Sequence, residues 1–452
     1  MNECSLPNRQ QARRPVRTAV ALVTAAAVLL GSLPARAQSA GSLPIIRDAE
    51  TEQLLKDYTT PILRAAGLAQ QNIRAVIINE RSFNAFVADG RRIFVNAGAL
   101  MDSKTPNQII GVLAHETGHI AGGHLNKLRN ELANVQSAMM IAMLLGLGAA
   151  VAGGGRNGSG DIAAAAMMGP QQIAMRSLLS YQRQQEEQAD RAGVKFLTAT
   201  GQSPKGMYDT FKRFAEQIQF SLQYIDPYAQ SHPMPKERID ALSLLVSNNP
   251  LWEKKDPAEL QLRHDLMRAK LHGFIDRADT LLRAYPMSDT TLPGRYAHAI
   301  AAYRHGSIPN ALTQIDSLIQ VQPNNPYFHE LKGQALLEAG RPLEAIAPLR
   351  HAVSLAPDPT LIQVMLGQAL LATNNPKLTD EAVTNLQTAL LHDNDNLDAY
   401  TNLAMAYGKK GDLPRADLAS AQAAMTRGDF MTARQLATRA KVRFPIGSPG
   451  WV

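Results

Sequence analysis

A 34-residue period in the last part of the chain constrains the fold more than any other feature of the sequence. Ala299, Gly333 and Gly367 follow one another at this interval. Small residues at fixed positions let two helices of a repeat approach closely, and proline ends a helix. Three further pairs of residues keep the same 34-residue spacing: Ala311 and Ala345, Ile315 and Leu349, and Pro323 and Pro357. The pattern predicts stacked helix–turn–helix units, which together form an α-solenoid.

The order of small, large, small and proline positions is typical of tetratricopeptide repeats. A third unit follows after a three-residue insertion near Asn375, Pro376 and Lys377, and a fourth contains Ala404 and Ala416. We assign residues 263–452 to a tetratricopeptide repeat domain. An unrelated all-α bundle is the alternative, but it would not require several positions to keep one period.

A second constraint is the sequence His115-Glu116-Thr117-Gly118-His119, which lies in a predicted helix from residue 107 to about residue 127. Residues four positions apart differ by only about 40° around a helix, so both imidazoles can bind one Zn²⁺. Glu116 lies about 100° from His115 and can accept a proton from a water molecule without ligating the metal. The pattern predicts a catalytic zinc site; a surface helix with two incidental histidines is the alternative.

A catalytic zinc site requires a third protein ligand. Gly122 lies where the metzincin motif has its glycine, but that motif then needs histidine at the position of Leu125. His124 is one residue too early, and on a continuous helix it would lie about 140° from His119. The metzincin pattern therefore fails.

The segment from Tyr181 to Asp190 offers a better third ligand. On a helix Glu186 and Asp190 share a face, and Ala189 is small enough for close packing against the catalytic helix. Glu186 would bind the metal, and Asp190 would accept the distal N–H of a ligand histidine. Glu187 competes for the ligand role on spacing alone.

The rest of residues 38–262 predicts an α+β domain that is mostly helical. A helix is expected over residues 48–72, and strands at 75–79 and 93–95 flank a turn at Asp89 and Gly90. Residues 138–168 combine two apolar stretches with a glycine-rich link, which predicts a mobile flap beside the site. A buried core helix and peripheral contact with a membrane surface are the alternatives.

The N-terminus has the pattern of a secretory signal peptide. Four arginines between residues 9 and 17 precede the apolar run 18–33, and Pro34-Ala35-Arg36-Ala37 has a small-residue cleavage pattern. An apolar run of about 16 residues is short for a membrane span. We therefore expect general secretory export with cleavage after Ala37.

Removal of residues 1–37 leaves 41 basic and 38 acidic residues, so the net charge falls from +7 to +3. The basic composition therefore gives no reason to expect nucleic acid as a partner. Cys4, the one cysteine, leaves with the signal, and the mature chain is expected to have neither a disulfide nor thiol chemistry.

The metal motif and the Arg183-x-x-Glu186-x-x-Ala189-Asp190 segment resemble the gluzincin family of the CAAX prenyl protease and HtpX. The resemblance implies a zincin-like fold and a hairpin before the catalytic helix. It also implies roles for further residues. Asn84, Ala85 and Phe86 would align an extended substrate by strand addition; His232 would be a removable fourth ligand or help stabilise the oxyanion; Arg238 would orient the site or contact the oxyanion.

Two functions fit this sequence. The first is a periplasmic endopeptidase with one Zn²⁺ per chain, acting on misfolded or stalled envelope and outer-membrane proteins. Its repeats would recruit protein substrates or the outer-membrane protein assembly machinery, and the protein would associate with the outer membrane. The second is a repeat-based chaperone or adaptor for outer-membrane protein assembly, with latent or minor peptidase activity. The catalytic groups are present, which favours the first.

Overall fold

The computed structural model describes residues 43–134, 136–137, 159–220, 228, 231–356, 358 and 360–452. These residues form a small mixed β-sheet surrounded by helices, followed by a succession of antiparallel helix pairs. The predicted class, α+β and mostly α with an α-solenoid behind it, is confirmed.

The sheet has four short strands in the order β1-β2-β4-β3. β2 and β4 are parallel, with Val76 opposite Phe94, whereas β1 and β3 run antiparallel to their neighbours. β3 therefore lies at one edge of the sheet. The strands are β1 (Ile45–Ile46), β2 (Arg74–Ile78), β3 (Ala85–Val87) and β4 (Arg92–Asn96).

Among the described residues, six helices with defined bounds and a further helical stretch over residues 124–134 complete the part of the chain around the sheet. The predicted helix over residues 48–72 ends earlier, because Gly67 adopts a positive φ of 73° that turns the chain towards β2. The predicted helix over residues 107–127 is interrupted by a turn formed by Gly122 and Gly123, after which residues 124–134 are helical again. The helices are α1 (Ala49–Ala65), α2 (Ala97–Asp102), α3 (Pro106–Ala121), α4 (Ser159–Ala199), α5 (Lys205–Phe220) and α6 (Lys236–Val246).

The remaining helices form the repeat part of the chain, and from Leu292 onward each helix packs against the next one in sequence. The alanine, glycine, isoleucine and leucine residues that carry the 34-residue period are buried between helices. A Cβ at Gly333, for example, would be 2.4 Å from the Leu349 side chain. The insertion near Asn375 forms a 3₁₀ turn (Pro376–Leu378). The helices are α7 (Ala258–Ile275), α8 (Ala278–Ala284), α9 (Leu292–His305), α10 (Ile308–Val321), α11 (Pro326–Glu338), α12 (Pro342–Leu355), α13 (Thr360–Ala372), α14 (Thr379–His392), α15 (Leu397–Lys409), α16 (Leu413–Thr426) and α17 (Phe430–Arg443).

A buried charged cluster connects α1, α7 and the repeats. The Lys270 ammonium on α7 lies 2.6 Å from Asp48 and 3.5 Å from both Glu50 and Glu330. Tyr296 on α9 donates a hydrogen bond of 3.0 Å to Glu50. These residues, the Lys270 cluster, join the start of the sheet-containing part to the repeat helices through charges removed from water.

The Lys270 cluster predicts a specific pH dependence of stability. Burial raises the pKa of Glu330 to about 7, although Lys270 opposes the shift, whereas an unfolded glutamate titrates near pH 4.3. Between these values the unfolded chain holds fewer protons, so the free energy of unfolding falls as pH rises and the loss is complete above about pH 7. We expect Glu330→Gln to reduce the difference in unfolding free energy between pH 5 and pH 8 by about 1–3 kcal/mol. Urea denaturation at both pH values measures it, and equal pH dependence in both proteins would contradict the prediction.

Several sequence predictions fall on residues outside the described ranges. They include the signal peptide over 1–37 and most of the flap over 138–168. Residues 159–168 are helical and belong to α4. Within the described ranges, no helix combines the length and apolar character needed to cross a membrane.

Candidate metal centre and active site

The catalytic helix α3 is held in the core by close contacts at two glycines. A Cβ at Gly111 would lie 2.6 Å from Met207 of α5, and one at Gly118 would lie 2.8 Å from the Ala189 carbonyl oxygen of α4. Backbones this close fix α3 against the helix that carries Glu186. The expected close packing at Ala189 is therefore present in the structure.

Four side chains converge at the C-terminal half of α3. The His115 and His119 Nε2 atoms are 3.0 Å apart, and each lies 3.4 Å from a carboxylate oxygen of Glu186. His232 Nδ1 lies 3.4 Å from His115 Nε2 and 3.1 Å from Glu186. Donor atoms of all four residues lie within 4.8 Å of one another.

This donor set fits a tetrahedral metal ion. Bonds of about 2.0–2.1 Å place two donors of a tetrahedron about 3.3 Å apart, close to the spacings found here. Imidazole nitrogen and carboxylate oxygen are ordinary ligands of such an ion. Glu116 Oε1 and His232 Nε2 are also buried and lie 3.4 Å from each other, without a hydrogen-bond partner among the described residues. These two polar atoms are therefore directed at the same space.

Asp190 and Arg238 support the donor set from behind. Asp190 Oδ1 lies 2.9 Å from His115 Nδ1, and Arg238 donates two hydrogen bonds to Asp190, at 2.7 and 2.8 Å. Arg238 Nη1 reaches Glu186 at 2.8 Å and donates to the Pro233 carbonyl at 3.0 Å. For Arg238, these contacts favour a role in orienting the site over direct contact with the oxyanion.

The charges of the site set the protonation of its carboxylates. Burial would raise the pKa of Glu186, but His232 and Arg238 hold it well below its usual range. Burial likewise opposes the lowered pKa of Asp190, which Arg238 produces. At Glu116 burial outweighs the opposing charges of His232 and His115, so its pKa is raised. A carboxyl with a raised pKa is suited to taking up and returning a proton.

A cleft of about 450 Å³ opens in front of the donor set. Glu116, His119 and His232 line its inner wall, and Phe86 of the edge strand β3 lines another side. Ala85 is buried and Phe86 stacks on Phe94 with ring centroids 5.3 Å apart. Asn84 precedes the strand, and its carbonyl accepts a hydrogen bond from the Asn96 amide.

The structure distinguishes the two glutamates that spacing left open. Glu187 is exposed and accepts hydrogen bonds from Arg191 one turn further along α4. Glu186 is 7 % exposed and lies among the histidines. Of the two, Glu186 is the residue that the structure brings to the donor set.

The sequence predictions missed one residue beside this donor set and another at His232. His124 lies 3.0 Å from His119, because the Gly122-Gly123 turn interrupts the helix between these two residues. Tyr228 is fully buried and its ring lies 4.6 Å from that of His232. The glycine pair was a signal for the first contact, and the four-residue spacing from Tyr228 to His232 a weak signal for the second.

Both the part of the chain around the sheet and the repeats are similar to known proteins. Residues 48–246 match Peptidase family M48, and residues 296–360 match a tetratricopeptide repeat. The beta-barrel assembly-enhancing protease of Escherichia coli K12 is 22 % identical over 91 % of this chain and 83 % of its own length. The protein of the same name from Yersinia pestis is 21 % identical with the same coverage. Metalloprotease LoiP of Escherichia coli is 28 % identical over 35 % of this chain and 60 % of its own length.

The fold, the donor set and these similarities together define a metallopeptidase, and the predicted enzyme class is confirmed. The chain has a Peptidase M48 domain followed by tetratricopeptide repeats. The family implies a metal cofactor, for which the cluster of His115, His119, Glu186 and His232 has suitable ligands.

Proposed function

We propose that this protein is an exported zinc-dependent endopeptidase that acts on misfolded or stalled envelope and outer-membrane proteins. The observation that carries the proposal is the convergence of His115, His119 and Glu186 at a cleft whose lining also includes Glu116. The names of the similar proteins, which refer to β-barrel assembly, support the substrate class. The signal-peptide pattern supports the periplasm, with association at the outer membrane.

In this proposal His115, His119 and Glu186 hold one Zn²⁺, and His232 is a removable fourth ligand. A bound zinc ion would supply Lewis-acid chemistry, polarising the scissile carbonyl and making water a better nucleophile at neutral pH. Glu116 takes the proton of the attacking water on its carboxylate and returns it to the leaving amine. Asp190 fixes the His115 ring, and Arg238 holds Asp190 and Glu186 in place.

The edge strand and the repeats would position the substrate. β3 has one neighbour in the sheet, β4, so the edge at Asn84, Ala85 and Phe86 can pair with an extended polypeptide in the cleft. The repeats would recruit substrates or the outer-membrane protein assembly machinery. Arg47, next to β1, and Arg74, in β2, form salt bridges to Asp393 and Asp395 of the loop after α14, and these contacts link the repeats to the sheet.

A second function is a repeat-based chaperone or adaptor for outer-membrane protein assembly with latent peptidase activity. The position of His232 favours a latent resting state, because its Nδ1 atom lies within the donor set. Displacement of this side chain by a partner or substrate would then be needed before hydrolysis.

Metal content tests the proposal directly. We expect about one zinc ion per chain in the wild type and in Glu187→Ala, and a loss of bound zinc in Glu186→Ala, because Glu187 is exposed and Glu186 faces the histidines. Elemental analysis of the purified protein after dialysis measures it, and circular dichroism controls for folding. A wild type without zinc after loading would contradict the peptidase assignment.

A further inference from the structure

Each histidine of the metal motif has one ring nitrogen that faces away from the donor set. The two histidines differ in the side chain that contacts this nitrogen. At His115 this atom is Nδ1, and it lies 2.9 Å from the Asp190 carboxylate. At His119 it is also Nδ1, and it lies 3.0 Å from Nδ1 of His124. His124 is 3 % exposed. A second imidazole therefore occupies the place that a carboxylate occupies at His115.

The acceptors in these contacts determine which ring nitrogen of His119 and of His124 carries the hydrogen. His119 Nε2 faces the donor set, so a neutral His119 ring that binds metal there carries its hydrogen on Nδ1. This N–H can only donate to a lone pair on His124 Nδ1. His124 then carries its own hydrogen on Nε2, which lies 3.3 Å from the Gln188 Oε1 acceptor. Each contact joins one donor to one acceptor.

The local backbone is shaped to place the His124 ring there. Gly123 has a positive φ of 63°, and a second helical stretch begins at His124 directly after this turn. A Cβ at Gly122 would lie 2.2 Å from His124 Nε2, so a larger residue would displace the ring. On the other side, Gln185 Nε2 donates to the His124 carbonyl at 3.4 Å. The helix α4 that carries Glu186 thus also fixes the backbone of His124.

We propose that His124 is a positioning residue that holds His119 in the tautomer and ring orientation needed to bind the metal, with Gln188 fixing the tautomer of His124. The inference rests on the proposed metal site and adds a residue that the metal motif does not contain. Partners of metal-ligating histidines contribute strongly to affinity, and their removal typically costs about 10–100-fold.

Zinc affinity of the full mature chain, measured by competition with a chromophoric chelator, tests this role. We expect His124→Leu to raise the dissociation constant about 10–100-fold. His124→Asn should stay within about 3-fold of the wild type, because its amide oxygen can replace Nδ1 as the acceptor for His119. Gln188→Leu should weaken binding in the same direction by less. Gln184→Leu, an exposed glutamine on the same helix, is the matched control and should bind zinc as the wild type does.

The melting temperatures of the metal-free proteins show whether a His124 variant has lost packing stability, whereas the zinc affinities show whether it has lost the positioning of His119. If His124→Leu and His124→Asn lose affinity equally, the acceptor has no role and the proposal is wrong. If His124→Leu binds zinc as tightly as the wild type, the proposal is also wrong, although the metal site stands. A wild type that binds no zinc would instead overturn the proposed function. Gln188→Leu keeps the test valid if His124→Leu fails to fold, because Gln188 is at the surface.

Discussion

Replacement of Glu116 by glutamine is expected to lower kcat/KM for an unfolded protein substrate by about 10²–10⁴-fold, the usual contribution of a general base. Glutamine keeps the size and burial of the side chain but cannot accept the proton of the attacking water. Zinc content should stay at about one per chain, because Glu116 is outside the group of residues that could hold the metal. Proteolysis of casein with parallel elemental analysis measures both quantities.

Glu187→Gln is the matched control for this experiment. It makes the same chemical change on an exposed side chain of α4 and should leave kcat/KM within about 2-fold of the wild type, since surface substitutions have small effects. Retention of full activity by Glu116→Gln would refute the catalytic role. In cells, rescue of an envelope defect by Glu116→Gln would favour the chaperone function, whereas loss of rescue at normal expression would favour the peptidase.

Replacement of Lys270 by methionine is expected to lower the free energy of unfolding by about 3–5 kcal/mol, the usual cost of breaking a buried ion pair from one side. Lys270 is 4 % exposed and faces Asp48, Glu50 and Glu330. Methionine fills similar space but leaves these carboxyls without their cation. Urea denaturation near pH 7, with the change in slope as a check on cooperativity, measures the loss.

Two comparisons make this second prediction specific. Lys332→Met removes a partly exposed ion pair with Asp316 and should cost about 0–1 kcal/mol. Adding Glu330→Gln to Lys270→Met should restore part of the stability, because one of the unpaired carboxyls becomes neutral. Equal stability of Lys270→Met and the wild type at neutral pH would show that the cluster contributes nothing to the attachment of the repeats.

The sequence predicted the elements that depend on short-range periodicity. The repeats could be predicted because a small residue recurs wherever a large side chain of the next helix packs against the backbone. A Cβ at Gly367 would lie 2.8 Å from Leu386, as one at Gly333 would meet Leu349. The metal motif was equally readable, because a spacing of four residues on one helix fixes the direction of both imidazoles.

The contacts that sequence reasoning missed depend on where the chain turns or on residues far apart. His124 was placed on a continuous helix and therefore away from His119. In the structure two glycines end α3, and the His124 ring lies beside His119. The Lys270 cluster joins residues separated by more than 200 positions, such as Glu50 and Tyr296. No periodicity reports such a pairing, since it arises only when the repeats fold back on α1.

The ligands of the proposed metal site come from segments that are far apart in the chain. His115 and His232 are 117 positions apart, and Glu186 lies between them on a different helix. An ion held by all of them is a crosslink that exists in the folded state and is absent from the unfolded one. At a free concentration 100 times its dissociation constant, such an ion adds about 2.7 kcal/mol to stability. The supply of zinc in the envelope would then govern how long each molecule survives the proteases around it, as well as how fast it works.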